Sequence, residues 1–171
     1  DIGLWAGTLT NNLKDPNNWA IVFPEINNRI NAITQSDSFV GFSHDSHLYE
    51  FSLTNPGALT ENMSGENINF VDLNYTPNNI LKGISENRIY DLISGLVSPK
   101  SKRSFQSIVM DDANQIVIGT DAGLAFYDVN QNNFEISIPN SPVTNHFTAV
   151  KVLEDGRIVC GSKYGLSIFE D

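Results

Sequence analysis

Short apolar runs rich in Ile, Val and Phe alternate along this chain with clusters of Asn, Asp, Ser and Gly, and helical periodicity is almost absent. That alternation is the signature of strands joined by turns, so the pattern predicts an all-β protein. Its plainest stretch is FQSIVMDDANQIVIGTDAGLAFY, from Phe105 to Tyr127, which reads as three short strands and two tight reversals. The same plan returns as INAITQSDSFVGFSHDSHLYEF from Ile30, INFVDLNYTPNNILKGISENRIYD from Ile68 and FTAVKVLEDGRIVCGSKYGLSIF from Phe147. A shorter version, IGLWAGT followed by NNWAIVF, opens the chain.

Ile30, Ile68, Phe105 and Phe147 form one column, and Ile33, Val71, Ile108 and Val150 a second. Leu48, Ile89, Leu124 and Leu166 form a third, each opening a third strand. The copies start 38, 37 and 42 residues apart, close to the roughly 40–45 residue period of four-stranded propeller blades. Turns rich in Pro, Asn, Asp and Gly (36–38, 76–79, 111–114 and 154–156) close the first hairpins, because these residues tolerate or preset the required φ. A small or polar pair, Gly119-Thr120 or Gly161-Ser162, ends the second strand, and LWAGT with Gly7-Thr8 aligns there. In that alignment Trp5 shares its column with Gly41, Lys82, Val117 and Val159. An outer fourth strand is plainest at NNFEISIP (132–139), matched by NNWAIVFP (17–24).

An aliphatic strand, an acidic turn, an apolar strand, Gly-Thr, a turn with Gly and Leu-x-x-Tyr-Asp together resemble the two-component regulator propeller, a periplasmic sensor-type bacterial β-propeller repeat. The copy at 105–128 is nearest to the pattern and 68–91 is degenerate. The resemblance implies a β-propeller of four-stranded antiparallel blades. The divisions are a partial blade 1–26, a blade 27–64, a degenerate blade 65–100, a blade 101–140 and a partial blade 141–171. That is about four and a half blades, where propellers close with about 4–8. Both ends stop inside the pattern, which favours a segment of a larger propeller over a small ring closed by strands from its two ends.

The resemblance also implies a sensor. Such propellers form the periplasmic or extracellular ligand-sensing part of membrane-bound bacterial regulators, with kinase or cyclase output elsewhere. Relatives act in secreted or cell-surface assemblies, including secretion and gliding machinery, so a structural or protein-docking propeller is the alternative. No phosphoacceptor context, Gly-rich nucleotide loop or catalytic constellation is present, which makes a non-catalytic domain the expectation and a propeller hydrolase or lyase the weakest reading.

Composition narrows the partners. Ten basic against twenty acidic residues give a net charge of −10, which disfavours nucleic acid. A small polar ligand such as an oligosaccharide, or a protein, suits this surface, and a homodimer is compatible with a full-length receptor. No apolar run reaches the length of a membrane span, so any membrane link is expected outside these residues. The single Cys160 forms no internal disulfide and reads as a buried core residue.

Ligands of propellers usually meet the end built from second-to-third-strand turns and blade connections. The turns are Thr8–Asn12, His44–His47, Ser85–Arg88, Thr120–Gly123 and Ser162–Gly165. The connections are Pro24–Arg29, Thr60–Asn67, Ser98–Ser104 and Pro139–His146. From these, His44, Asp45, His47, Arg88, Lys100, Lys102, Arg103, Asp121, Lys163 and Tyr164 are the candidate face for a ligand or partner. His44-Asp45-Ser46-His47 carries two imidazoles around a carboxylate but lacks a zinc spacing, so a solvated turn is expected and no metal or cofactor is assigned. Lys100, Lys102 and Arg103 make the only basic cluster, suited to an anion or a partner but also to a solvated loop. Trp5 and Trp19 read as packing residues on repeat columns. Asp111, Asp112 and Asp155 read as turn formers, and the acceptor-like Asn62-Met63-Ser64 and Asn74-Tyr75-Thr76 as chance matches.

Overall fold

The computed structural model describes residues 3–63, 68–91, 94–95, 97–110, 115–138, 140 and 144–169. Sixteen strands among them form five antiparallel sheets in chain order. The first sheet pairs β1 (Trp5–Gly7) with β2 (Trp19–Ile21). The second runs β3 (Ile30–Gln35), β4 (Phe39–His44), β5 (His47–Ser52), β6 (Asn55–Met63). The third holds β7 (Asp72–Tyr75), β8 (Leu81–Ile84) and β9 (Ile89–Asp91). The fourth is β10 (Phe105–Met110), β11 (Ile116–Thr120), β12 (Gly123–Asp128) and β13 (Asn133–Ser137). The fifth is β14 (Ala149–Val152), β15 (Ile158–Ser162) and β16 (Gly165–Phe169). Every sheet is a simple up-and-down meander of consecutive antiparallel strands.

The repeat columns survive as register. Leu48, Ile89, Leu124 and Leu166 sit opposite Ser43, Ile84, Gly119 and Gly161, the same step of each second hairpin. The full sheets even share an irregularity, a bulge between Ile30 and Ala32 in β3 and between Phe105 and Ser107 in β10. The third sheet is where the pattern is degenerate. Among the described residues its outer position is held by one bridge, Tyr90 to Val97, instead of a fourth strand.

One expectation is corrected. LWAGT is not a second strand. Trp5 pairs with Ile21 and Gly7 with Trp19, as Ala125 pairs with Ile136 and Tyr127 with Phe134 in the fourth sheet. The amides of Gly3 and Gly123, both at positive φ, donate to the carbonyls of Asn28 and Asn145. So β1 is a third strand, Trp5 stands in the column of Ala125, and Thr8–Asn12 follows a third strand, not a second. Gly-Thr occurs in both places because a short apolar run reads alike wherever it lies in a meander. The turn at 111–114, with Asp111 and Asp112, lies outside the described residues.

The core is built between sheets. Leu4, Phe23 and Ile26 of the first sheet and its exit pack on Phe42 and Phe51 of the second. Leu48 meets Phe70 and Leu73 of the third. Ile84 and Ile89 meet Phe105, Ile108 and Ile118 of the fourth, and Val117 and Leu124 meet Phe147, Ile158 and Cys160 of the fifth. First strands of successive sheets stand side by side, β3 with β7, β7 with β10 and β10 with β14. Each sheet thus has a forward face covering the next sheet and a rear face covered by the one before. This explains why Ile33 is 54% exposed while its counterpart Ile108 is buried: the first sheet contributes only two outer strands, leaving the base of β3 uncovered.

Candidate functional site

Among the described residues, turns and connections meet at one end of the second, third and fourth sheets, and Thr8–Asn12 does not join them. Asn28 Nδ2 reaches Asp45 Oδ2 at 3.4 Å. The Ser104 amide donates to Asp121 Oδ1 at 3.3 Å, and the Asp121 amide returns a bond to Ser104 O at 3.1 Å. The Ser101 amide donates to Asn87 O, and the Phe147 amide to Thr120 O. The turns His44–His47, Ser85–Arg88 and Thr120–Gly123 are therefore laced to the connections beside them, a rigid mounting for exposed side chains.

The candidate residues are spread along this end and do not converge. His44, Asp45 and His47 lie on the second sheet, Arg88 on the third, Asp121 on the fourth, Lys163 and Tyr164 on the fifth. Arg88 Nη1 donates to Ser98 O at 2.8 Å, bracing the loop that carries Lys100, Lys102 and Arg103. Lys100 and Lys102 are exposed, and the Arg103 amide is held by Ser101 Oγ. Lys163 Nζ stands 4.8 Å over the Tyr164 ring, a cation–π pair in the open.

The turn at His44 departs most from expectation. His44 faces His47 at the hairpin end, as Thr120 faces Gly123. The Thr120 hydroxyl is satisfied there, donating to Gly123 O and accepting from the Ala122 amide. His44 is buried, and neither ring nitrogen has a hydrogen-bond partner; Asp45 Oδ2 lies 3.9 Å from Nδ1. It is not a solvated turn residue. His47 is partly exposed, stacks on Tyr49 and holds Nδ1 2.7 Å from Glu61 Oε1. Burial, with Glu61 and Asp45 nearby, raises the Tyr49 phenol above its ordinary pKa. Among the described residues no three His, Cys, Asp or Glu side chains converge as a metal site.

Cys160 is buried as expected, and burial pushes its thiol up to about 11, so it is an inert thiol at neutral pH. Trp5 and Trp19 pack only in part, being 43% and 37% exposed on the rear of the first sheet. Three clefts open at the end opposite the laced loops. One of about 790 Å³ lies beside Asp128–Gln131, one of about 680 Å³ beside Lys151–Asp155. A third, of about 690 Å³, is more apolar and runs between Leu4, Trp5, Ile33 and Leu53. Sequence reasoning missed all three; the second and third are bounded by strands of different copies.

No protein-family profile matches the chain, and no curated protein matches it by sequence. Solved structures share its fold. The extracellular domain of BT3049 from B. thetaiotaomicron, named a hybrid two component system, superposes with a TM-score of 0.69 at 18% identity, over 99% of this chain and 24% of that one. The corresponding domain of BT4673 from the same organism gives 0.65 at 19% identity, over 85% and 21%. Virginiamycin B lyase from Staphylococcus aureus gives 0.58 at 13% identity, over 83% and 55%. The chain thus spans about a quarter of the extracellular domains it resembles. Its fold is shared with extracellular domains of bacterial signalling proteins.

Proposed function

We propose that the five sheets are blades of a β-propeller that serves as the extracytoplasmic, non-catalytic sensing domain of a bacterial two-component-type regulator. The fold likeness to the extracellular domains of the two B. thetaiotaomicron systems carries this reading. Side-by-side first strands and regular forward-to-rear packing support the propeller architecture. The ligand is a small polar molecule, with an oligosaccharide as the leading class, received at the laced loop end. Exposed Asp45, Asp121, Lys163 and Tyr164 there supply hydrogen-bonding and ring surfaces for hydroxyl-rich partners. Kinase or cyclase output belongs to other parts of the regulator.

The test is a thermal-shift and calorimetric screen of the purified domain against defined oligosaccharides. A saturable rise in Tm, lost in Asp121→Ala and Lys163→Ala, supports the reading. No shift with any glycan, together with a stoichiometric protein partner, would replace it with a docking propeller of a surface assembly.

A further inference from the structure

Asp45 and Asp121 hold the same place in the second-to-third turns of two sheets. Each accepts a hydrogen bond from a residue 17 positions earlier in the chain. Asp121 is locked twice, since its own amide also donates to Ser104 O at 3.1 Å. Asp45 is tied to its connection by a single side-chain contact among the described residues, Asn28 Nδ2 to Oδ2 at 3.4 Å. Its backbone sits in the left-handed region at φ 53°, while its side chain is 60% exposed and free to swing.

The residue before the aspartate sets this turn apart. Thr120 and Ser162 place hydroxyls there that bond within their own turns. His44 places an imidazole, 9% exposed, with both ring nitrogens buried and without a hydrogen-bond partner. Its Nδ1 lies 3.9 Å from Asp45 Oδ2, the same oxygen that Asn28 holds. That gap is too long for a hydrogen bond to the neutral ring and short enough to close once the ring is charged.

The other groups around the ring do not compete for this proton's partner. Across the hairpin His47 holds Nδ1 2.7 Å from Glu61 Oε1, so a proton there completes a contact already made. Tyr49 packs near both imidazoles, and its raised phenol keeps its proton wherever histidines titrate. Ile30, opposite His44 on β3, is uncharged. Glu25 and Arg29, the charged residues of the connection alongside, are exposed.

We infer that His44 is a proton-operated latch on this end of the sheets. With His44 neutral, Asp45 stays with Asn28 and the turn is laced to the connection between the first and second sheets. A proton on His44 makes a buried cation that requires an acceptor. Asp45 Oδ2 then closes on Nδ1 and leaves Asn28, and the turn parts from the connection. The latch works whatever this end of the sheets binds.

An NMR titration of the isotope-labelled protein from about pH 8 to about pH 5, the span in which histidines take up a proton, tests it. The His44 ring signals and the Asn28 side-chain amide signals should shift together with one midpoint. The Asn28 shift should be lost in His44→Phe and kept in His47→Gln, with backbone spectra showing that both variants are folded. A His44 ring that takes up no proton across this range would overturn the inference, as would one that titrates while the Asn28 amide stays still. Both of those outcomes are read on the unaltered chain and need no variant. An Asn28 shift that survives in His44→Phe, or vanishes in folded His47→Gln, would also overturn it, the latter assigning the response to the His47–Glu61 pair.

Discussion

The Tyr75 hydroxyl donates a 2.8 Å hydrogen bond to Glu50 Oε2, tying the third sheet to the second. Gly41, paired with Glu50 in the register of β4 and β5, leaves the space through which the phenol reaches. Burial, then the bond to Glu50, raises the Tyr75 pKa well above its ordinary 10.0. Tyr75→Phe should cost about 1–2 kcal/mol, the scale of a hydrogen bond to a charged, part-buried acceptor, read as a lower urea midpoint. The sign of the pH effect follows from the raised value. The native state holds this proton more firmly, so the contribution is complete below about pH 10 and is lost as pH climbs beyond it. The wild type should therefore lose stability on alkaline titration more steeply than Tyr75→Phe.

Gly41→Ala tests the same boundary sterically. Its Cβ would lie 2.8 Å from Leu81 Cδ2 and 2.9 Å from the Tyr75 hydroxyl. Neither neighbour can retreat without opening the core shared by the two sheets, so the substitution should destabilise by about 1–3 kcal/mol. Thermal unfolding measures it, and a variant as stable as the wild type would show that the sheets part freely here.

His44→Phe should raise stability. The imidazole is buried beside Tyr49 with both nitrogens unpartnered, and Phe42 and Tyr49 already stack along this face. Removing polar atoms that lost water without gaining a partner is worth about 1 kcal/mol. A lower Tm for His44→Phe would contradict that account of the site.

Asp72 bridges the third and fourth sheets, Oδ2 accepting from the Ile108 amide and Oδ1 from the Leu73 amide, each at 2.9 Å. Desolvation raises its pKa, with the two amides opposing. A raised carboxyl binds its proton more tightly in the native state, so stability falls as pH rises from about 4, the ordinary aspartate range. Asp72→Asn keeps an acceptor for Ile108 and should remove that part of the acid-to-neutral decline in Tm. Asp72→Ala leaves a buried amide unpaired and should cost about 1–3 kcal/mol at every pH.

Period-two alternation and turn chemistry are local, so the all-β class, the strands around Phe105–Tyr127 and the Leu48–Ile89–Leu124–Leu166 column were legible in the residues themselves. Pairing partners are not local. LWAGT reads equally well as a second or a third strand, and only the register of Trp5 with Ile21 decided between them. Burial is less local still: Leu124 and Leu166 occupy the same column, yet a neighbouring sheet covers one and leaves the other open. His44 looked like a solvated turn because sequence shows a turn's position and not what packs over it. The chain's own pattern determined strands, reversals and their repeat; the tertiary structure decided which face meets which, because that depends on the sheets placed on either side.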